Sequence, residues 1–144
     1  MGVILTVIGA LAAVVVGLFG YGTTLPVAPV ASRSRRIFGR PLVVWRLIND
    51  PAATKGWAGD PKTEVVEQDE PRRLVTKIVG ESAYGGTWTF EIAPDGHDAS
   101  TVTITERGEV YNPVFRVLSR HVFGQTRSLD AYLAKLDAAL SEPD

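Results

Sequence analysis

Between Asn112 and Leu140 the chain carries an apolar stripe that no other segment can ignore. Val114, Leu118, Val122, Gln125, Leu129, Tyr132, Leu133, Leu136 and Leu140 recur at steps of three and four, the spacing of one helical face. Arg116, Arg120, Arg127, Asp130, Lys135 and Asp137 fall mostly elsewhere on the wheel. Asn112 suits an N-cap and Pro113 the first helical position, where a missing N–H costs nothing. The predicted helix would span roughly 40 Å at about 1.5 Å per residue. Its stripe needs a broad apolar partner, and the β-rich middle of the chain is the candidate.

That middle reads as short strands of period two. Val30 to Phe38 carries Ser and Arg at alternate positions, with Arg33 and Arg35 sharing a face with Ile37, as a solvated edge strand would. Arg40 to Asn49 predicts a short helix with Pro41 at its start and Leu42, Trp45 and Ile48/Asn49 on one side; Asp50-Pro51 ends it. A loop or second helical turn follows through Trp57. Lys62–Gln68, Arg72–Val79, Thr87–Ala93 and Thr101–Val110 are then four strands, separated by Asp69-Glu70-Pro71, by Gly80 to Gly86 and by Pro94-Asp95-Gly96. Trp88, Phe90 and Ile92 alternate with Thr87, Thr89 and Glu91, and Val102, Ile104 and Glu106 with Thr101, Thr103 and Thr105. An antiparallel meander with one buried face is expected.

The first residues answer to a different solvent. Val3 to Tyr21 is an apolar run whose only polar side chains are Thr6 and the Tyr21 hydroxyl, about the length that crosses a hydrocarbon core as a helix. No Lys or Arg precedes it, and it is long for the apolar region of a cleaved signal peptide. We read residues 1–21 as a membrane anchor, 22–29 as a semi-extended linker with prolines at 26 and 29, and 30–144 as one domain. Arg33, Arg35, Arg36 and Arg40 are the first charges after the anchor and predict a single-pass protein with its domain in the cytoplasm. The Gly9/Ala13 and Ala13/Gly17 spacings permit helix-on-helix packing, a pattern that also arises by chance in such a composition. Formal net charge is −1, which gives no reason to expect a nucleic-acid partner, and the absence of cysteine excludes disulfide and thiolate chemistry.

The order strand, short helix, antiparallel strands and long terminal helix resembles the helix-grip fold. Within it the chain looks like the SRPBCC superfamily, in its polyketide cyclase/dehydrase and START-like branch. The resemblance is carried by Pro41-Leu-Val-Val-Trp-Arg-Leu-Ile-Asn-Asp-Pro51 with Trp57, and by Glu70-Pro-Arg-Arg-Leu-Val75. Gly85-Gly-Thr-Trp-Thr-Phe-Glu91 and Thr101-Val-Thr-Ile-Thr-Glu-Arg-Gly-Glu-Val-Tyr-Asn-Pro113 complete it. It implies an α+β fold in which a curved antiparallel sheet grips the C-terminal helix around an apolar cavity. The chain departs from the family pattern between Trp57 and Lys62, where about two strands are missing, so a shallower cavity and an open sheet edge are expected.

If the sheet curls around the helix, Trp88, Phe90, Ile92, Val102, Ile104 and Glu106 share the concave face, with Leu118, Val122 and Tyr132 opposite. Trp45, Trp57, Trp88, Phe90, Ile104, Glu106, Leu118 and Val122 are the candidate ligand-binding residues, the large rings more so than the aliphatic side chains, which suit a plain core equally. Glu106 stands out, since a carboxylate on an apolar face must be paired, protonated or set at the edge of the core. It could bind a ligand hydroxyl or act as a base, or pair with Arg116 or Arg120. His121 and Tyr111 are the other candidates for proton transfer; His97, in Asp95-Gly-His-Asp98, suits a solvated turn. No metal-ligand spacing, phosphate loop or nucleophilic triad is present, and no cofactor is expected. Gly85-Gly86 permits a bend in the sheet, and Gly124 a bend in the helix. The leading expectation is a membrane-anchored, non-enzymatic carrier of a lipid, isoprenoid or polyketide-like molecule. A cyclase/dehydratase-type enzyme using Glu106 and an interaction module using the open sheet edge are the alternatives. The sequence names neither the ligand nor a protein partner.

Overall fold

Period-two patterning on three central segments, with two more polar segments paired at the edges, produces a single antiparallel sheet. The computed structural model describes residues 2–24, 30–59, 61–81, 84–118 and 125–141. The strands are β1 (Val30–Phe38), β2 (Thr63–Asp69), β3 (Arg73–Ile78), β4 (Tyr84–Pro94) and β5 (Ala99–Val110), in the spatial order β1-β5-β4-β3-β2. The helices are α1 (Gly2–Thr24), α2 (Pro41–Ile48), α3 (Pro113–Leu118) and α4 (Gln125–Leu140). No strand lies among the described residues between Trp57 and β2, as the shortened pattern implies.

β4 starts at Tyr84, so Gly85 and Gly86 belong to the strand and not to the turn expected there. The β4–β5 register runs unbroken from Tyr84↔Val110 to Pro94↔Ser100. The register shifts instead on β2, between Val65 and Glu67. All seven residues of β2 are exposed, and it forms one outer edge of the sheet.

The expected C-terminal helix is described as α3 and α4, with residues 119–124 outside the described chain. Asn112 caps α3 as its type predicts, its Oδ1 accepting from the Val114 N–H at 2.9 Å. On α4, Leu129, Tyr132, Leu133 and Leu136 are buried together with Phe90, Ile92, Val102 and Ile104 of the sheet. Asp130 and Asp137 sit on the flank, two turns apart, and take Arg33 at 3.4 Å and Arg35 at 2.6 Å from β1. These half-exposed pairs contribute at most about 1 kcal/mol each; their use is to align α4 along β1. Ile37, on the same face of β1 as both arginines, is fully buried.

α2 closes one end of the core. Its buried side is Val44, Trp45 and Ile48, whereas Leu42, expected to share that side, is 40% exposed. The helix is rolled by one position: Val44 fills the interior and Leu42 faces outward. Asp50 terminates it, its Oδ1 accepting from the Ala52 N–H at 3.1 Å.

Because Leu129 is fully enclosed in this core, Leu129→Ala should lower the unfolding free energy by about 2–5 kcal/mol in chemical denaturation. Leu42→Ala, at an exposed position, should change it by less than about 0.5 kcal/mol.

Candidate functional site

Residues directly opposite in a sheet share a face, and here they form rows. Leu74, Phe90 and Ile104 make one row across β3, β4 and β5; Thr76, Trp88 and Glu106 make the next. One step further, Gly86 pairs with Gly108. Gly86 has φ +125°, and a Cβ there would overlap the Arg107 carbonyl and come within 2.9 Å of the Gly108 Cα. Only glycine meets that backbone approach. The row that would fill the concave face therefore carries no side chain on either strand.

A cavity of about 520 Å³ lies over this bare floor, within the range of small-molecule sites. Ile48, Leu74, Ile78, Phe90, Trp88 and Tyr132 give it apolar walls; Thr76, Thr87, Ser128 and Glu106 supply polar atoms at the boundary. Tyr132 of α4 is the hub of an aromatic group, with ring centroids 5.3 Å from Trp57, 5.6 Å from Trp88 and 5.4 Å from Phe90. Edge-to-face and tilted contacts of this kind fix the rings beyond simple burial. Burial also pushes the Tyr132 phenol well above its ordinary range, so it stays a neutral hydroxyl at physiological pH.

Glu106 is held by its cross-strand neighbour: Trp88 Nε1 donates to Glu106 Oε2 at 2.7 Å. Burial raises the Glu106 carboxyl above its ordinary value, and the Trp88 hydrogen bond partly offsets this by favouring the anion. The half-buried carboxyl thus keeps some affinity for a proton at a site flanked by apolar surface. At the end of β5, Tyr111 donates to Glu109 Oε2 at 2.6 Å. That hydrogen bond is the main reason the Tyr111 phenol is raised. It ties Tyr111 to the carboxylate two residues before it on β5.

Of the residues singled out in the sequence, Trp88, Phe90 and Glu106 come together around the cavity. Trp45 and Ile104 are packed in the core, and Trp57 stands edge-on to Tyr132, partly buried against that core. His121 and Val122 lie outside the described residues, as do Arg120, Gly124 and the side chains of Leu118 and Arg116. His97 is exposed in its turn. Among the described residues no group of three His, Asp or Glu side chains could hold a metal ion. Sequence reasoning passed over Thr76, Ser128 and the Gly86/Gly108 pair. The glycines could have been found from hairpin parity, each lying two residues from Trp88 or Glu106 on the same face.

No family model matches the chain, and no curated protein does. Solved structures do. A conserved protein from Geobacillus kaustophilus superposes with a TM-score of 0.65 at 14% identity, covering 78% of this chain and 95% of that one. A START superfamily protein from Mycobacterium smegmatis gives 0.60 at 13% identity, over 77% and 96%. A norcoclaurine synthase point mutant from Thalictrum, in complex with a transition-state analogue, gives 0.58 at 11% identity, over 79% and 94%. At such identities the likeness speaks for the fold alone. The chain has an α+β, START-like helix-grip fold, preceded by one apolar N-terminal helix.

A carboxyl raised in the folded state binds more protons there than when unfolded, so stability falls as pH rises from its ordinary value of 4.5 toward the raised value. Glu106→Gln removes this pH dependence and retains an acceptor for Trp88. The variant should melt higher than the parent chain at pH 8, and the difference should close as pH drops toward 4.5, read by thermal scans across the range.

Proposed function

We propose that this protein is a single-pass, membrane-anchored helix-grip domain that binds or carries an apolar small molecule such as a lipid, isoprenoid or polyketide-like compound. The observation that carries the reading is the cavity between α4 and the sheet, created by the Gly86/Gly108 floor and walled by Leu74, Ile78, Phe90, Trp88 and Tyr132. An aliphatic or ring-shaped ligand would bury its apolar surface there, at about 25 cal/mol per Å² removed from water. Glu106 and Thr76, at the two ends of one row with Trp88 between them, would meet separate polar atoms of that ligand.

The membrane half of the reading rests on α1. It has 23 residues, none of them charged, and an 18-residue window of it has no burial against the rest of the protein. A helix of that length spans about 35 Å, enough for a hydrocarbon core of about 30 Å. The positive-inside rule applied to Arg33, Arg35, Arg36 and Arg40 favours a cytoplasmic domain, although Arg33, Arg35 and Arg36 also serve ion pairs with Asp130, Asp137 and Asp95.

The raised carboxyl of Glu106 supports a second reading, in which the domain is a cyclase/dehydratase-type enzyme and Glu106 transfers a proton in a water-poor site. An unaltered product profile in a strain carrying Glu106→Gln would count against catalysis. The exposed edge strand β2 supports a third, recruitment of a protein strand; a full chain that stays monomeric and captures no strand peptide would count against that.

Binding is tested by titrating the full chain in nanodiscs with a dansyl-labelled long-chain alcohol and following energy transfer from its three tryptophans. A saturable signal at one probe per chain, competed by unlabelled dodecanol, is expected. Thr76→Phe, which fills the cavity, should weaken binding at least tenfold, about 1.4 kcal/mol. Thr103→Phe, on the opposite face against Ser34, should leave it unchanged. Equal binding by both variants would place the probe elsewhere.

A further inference from the structure

α1 meets the domain at one defined point. Gly22 is the buried residue of that helix, with Leu18 half-buried one turn earlier. A Cβ on Gly22 would overlap the Pro113 carbonyl and lie 2.8 Å from the Pro113 Cα, so the two backbones are in direct contact and only glycine permits it. α1 packs on α3, whose Val117 is buried although it is outside the main core cluster. Thr23 and Thr24 donate back to the Gly20 and Tyr21 carbonyls, both at 2.6 Å, and keep the last turn of α1 wound up to this contact. The rest of the helix is bare: Val3 to Val16 and Phe19 expose their apolar side chains. Such a surface is covered by lipid, and Tyr21 falls where an interfacial aromatic belongs.

Pro113 also stands close to the cavity. Val110, which lines it, is three residues earlier, and three residues reach at most about 11 Å. We infer that α1 is a fixed strut docked on α3, holding the Val110 end of the cavity at the bilayer surface so that the apolar ligand passes between membrane and cavity. The inference rests on the ligand-binding reading above and adds to it a docked geometry and a source for the ligand, the bilayer itself. A flexible tether would hold the domain near the membrane without fixing which end of the cavity faces it.

Gly22→Leu breaks the contact, and Gly20→Leu is its matched control, because no atom lies within 4 Å of a Cβ at Gly20. The chain has no cysteine, so spin labels at Thr24→Cys and Lys77→Cys report the α1–domain distance in vesicles of phosphatidylcholine. One narrow distance is expected in the parent and Gly20→Leu backgrounds and a broad distribution in Gly22→Leu; a broad distribution in the parent overturns the strut. In the same vesicles, uptake of the dansyl-labelled alcohol from the bilayer should slow at least about tenfold in Gly22→Leu and stay unchanged in Gly20→Leu. Equal uptake rates in all three chains, with the parent distance narrow, overturn the passage from the bilayer. Absence of any saturable uptake by the parent chain overturns the ligand-binding reading and the passage together, whatever the distances show.

Discussion

The α4 stripe against the concave face of the sheet is the contact from which the rest of the structure follows. Leu129, Leu133 and Leu136 meet Ile92, Val102 and Ile104 in a solid core, each buried side chain contributing about 1.5–3 kcal/mol relative to exposure. Remove it and neither partner has a reason to fold, since a five-stranded sheet with one apolar face and a helix with one apolar stripe each lack cover. The flanking ion pairs from β1 orient the helix but are too exposed to hold it. Tyr132 belongs to the same stripe, and there the packing changes character: it is at once a member of the core and a wall of the cavity.

That change has a simple cause in the sheet. Moving along β4 and β5, the inward rows pass from Phe90/Ile104 to Trp88/Glu106 and then to Gly86/Gly108. The interior therefore passes from aliphatic packing, through one polar-tipped row, to bare backbone, while α4 contributes Tyr132 and Ser128 opposite. Space is left because β4 and β5 run too close at Gly86 for any side chain there. A fold that can be sealed by side chains is kept open by two glycines, and a carboxyl stands at the boundary between the packed and the open halves. The proposed ligand binding draws on this arrangement. Tyr111, the other described candidate for proton transfer, hydrogen-bonds Glu109.

Much of this was legible in the residues. Strand alternation placed Trp88, Phe90, Val102 and Ile104 on one face, and the stripe of α4 was read at Leu129, Tyr132, Leu133 and Leu136. What could not be read depended on contacts between distant segments. Leu42 and Val44 are both apolar on a helix too short for periodicity to choose between them, and only packing on the sheet turns Val44 inward. The extra length of β4 was hidden because Gly85-Gly86 looks like turn chemistry; pairing with β5 makes it strand. Thr76 joins the site through its register with Trp88, which is not a local property of β3. The docking of Gly22 on Pro113 joins segments about ninety residues apart and leaves no local signal in either.

The central claim is that the space beneath α4 is a ligand chamber. Native mass spectrometry of the full chain, purified in and released from detergent, tests this most directly. The account predicts a population carrying one apolar molecule per chain, lost selectively when Thr76→Phe fills the cavity. A bare chain mass in both proteins, across mild release conditions that preserve folded charge states, would contradict it.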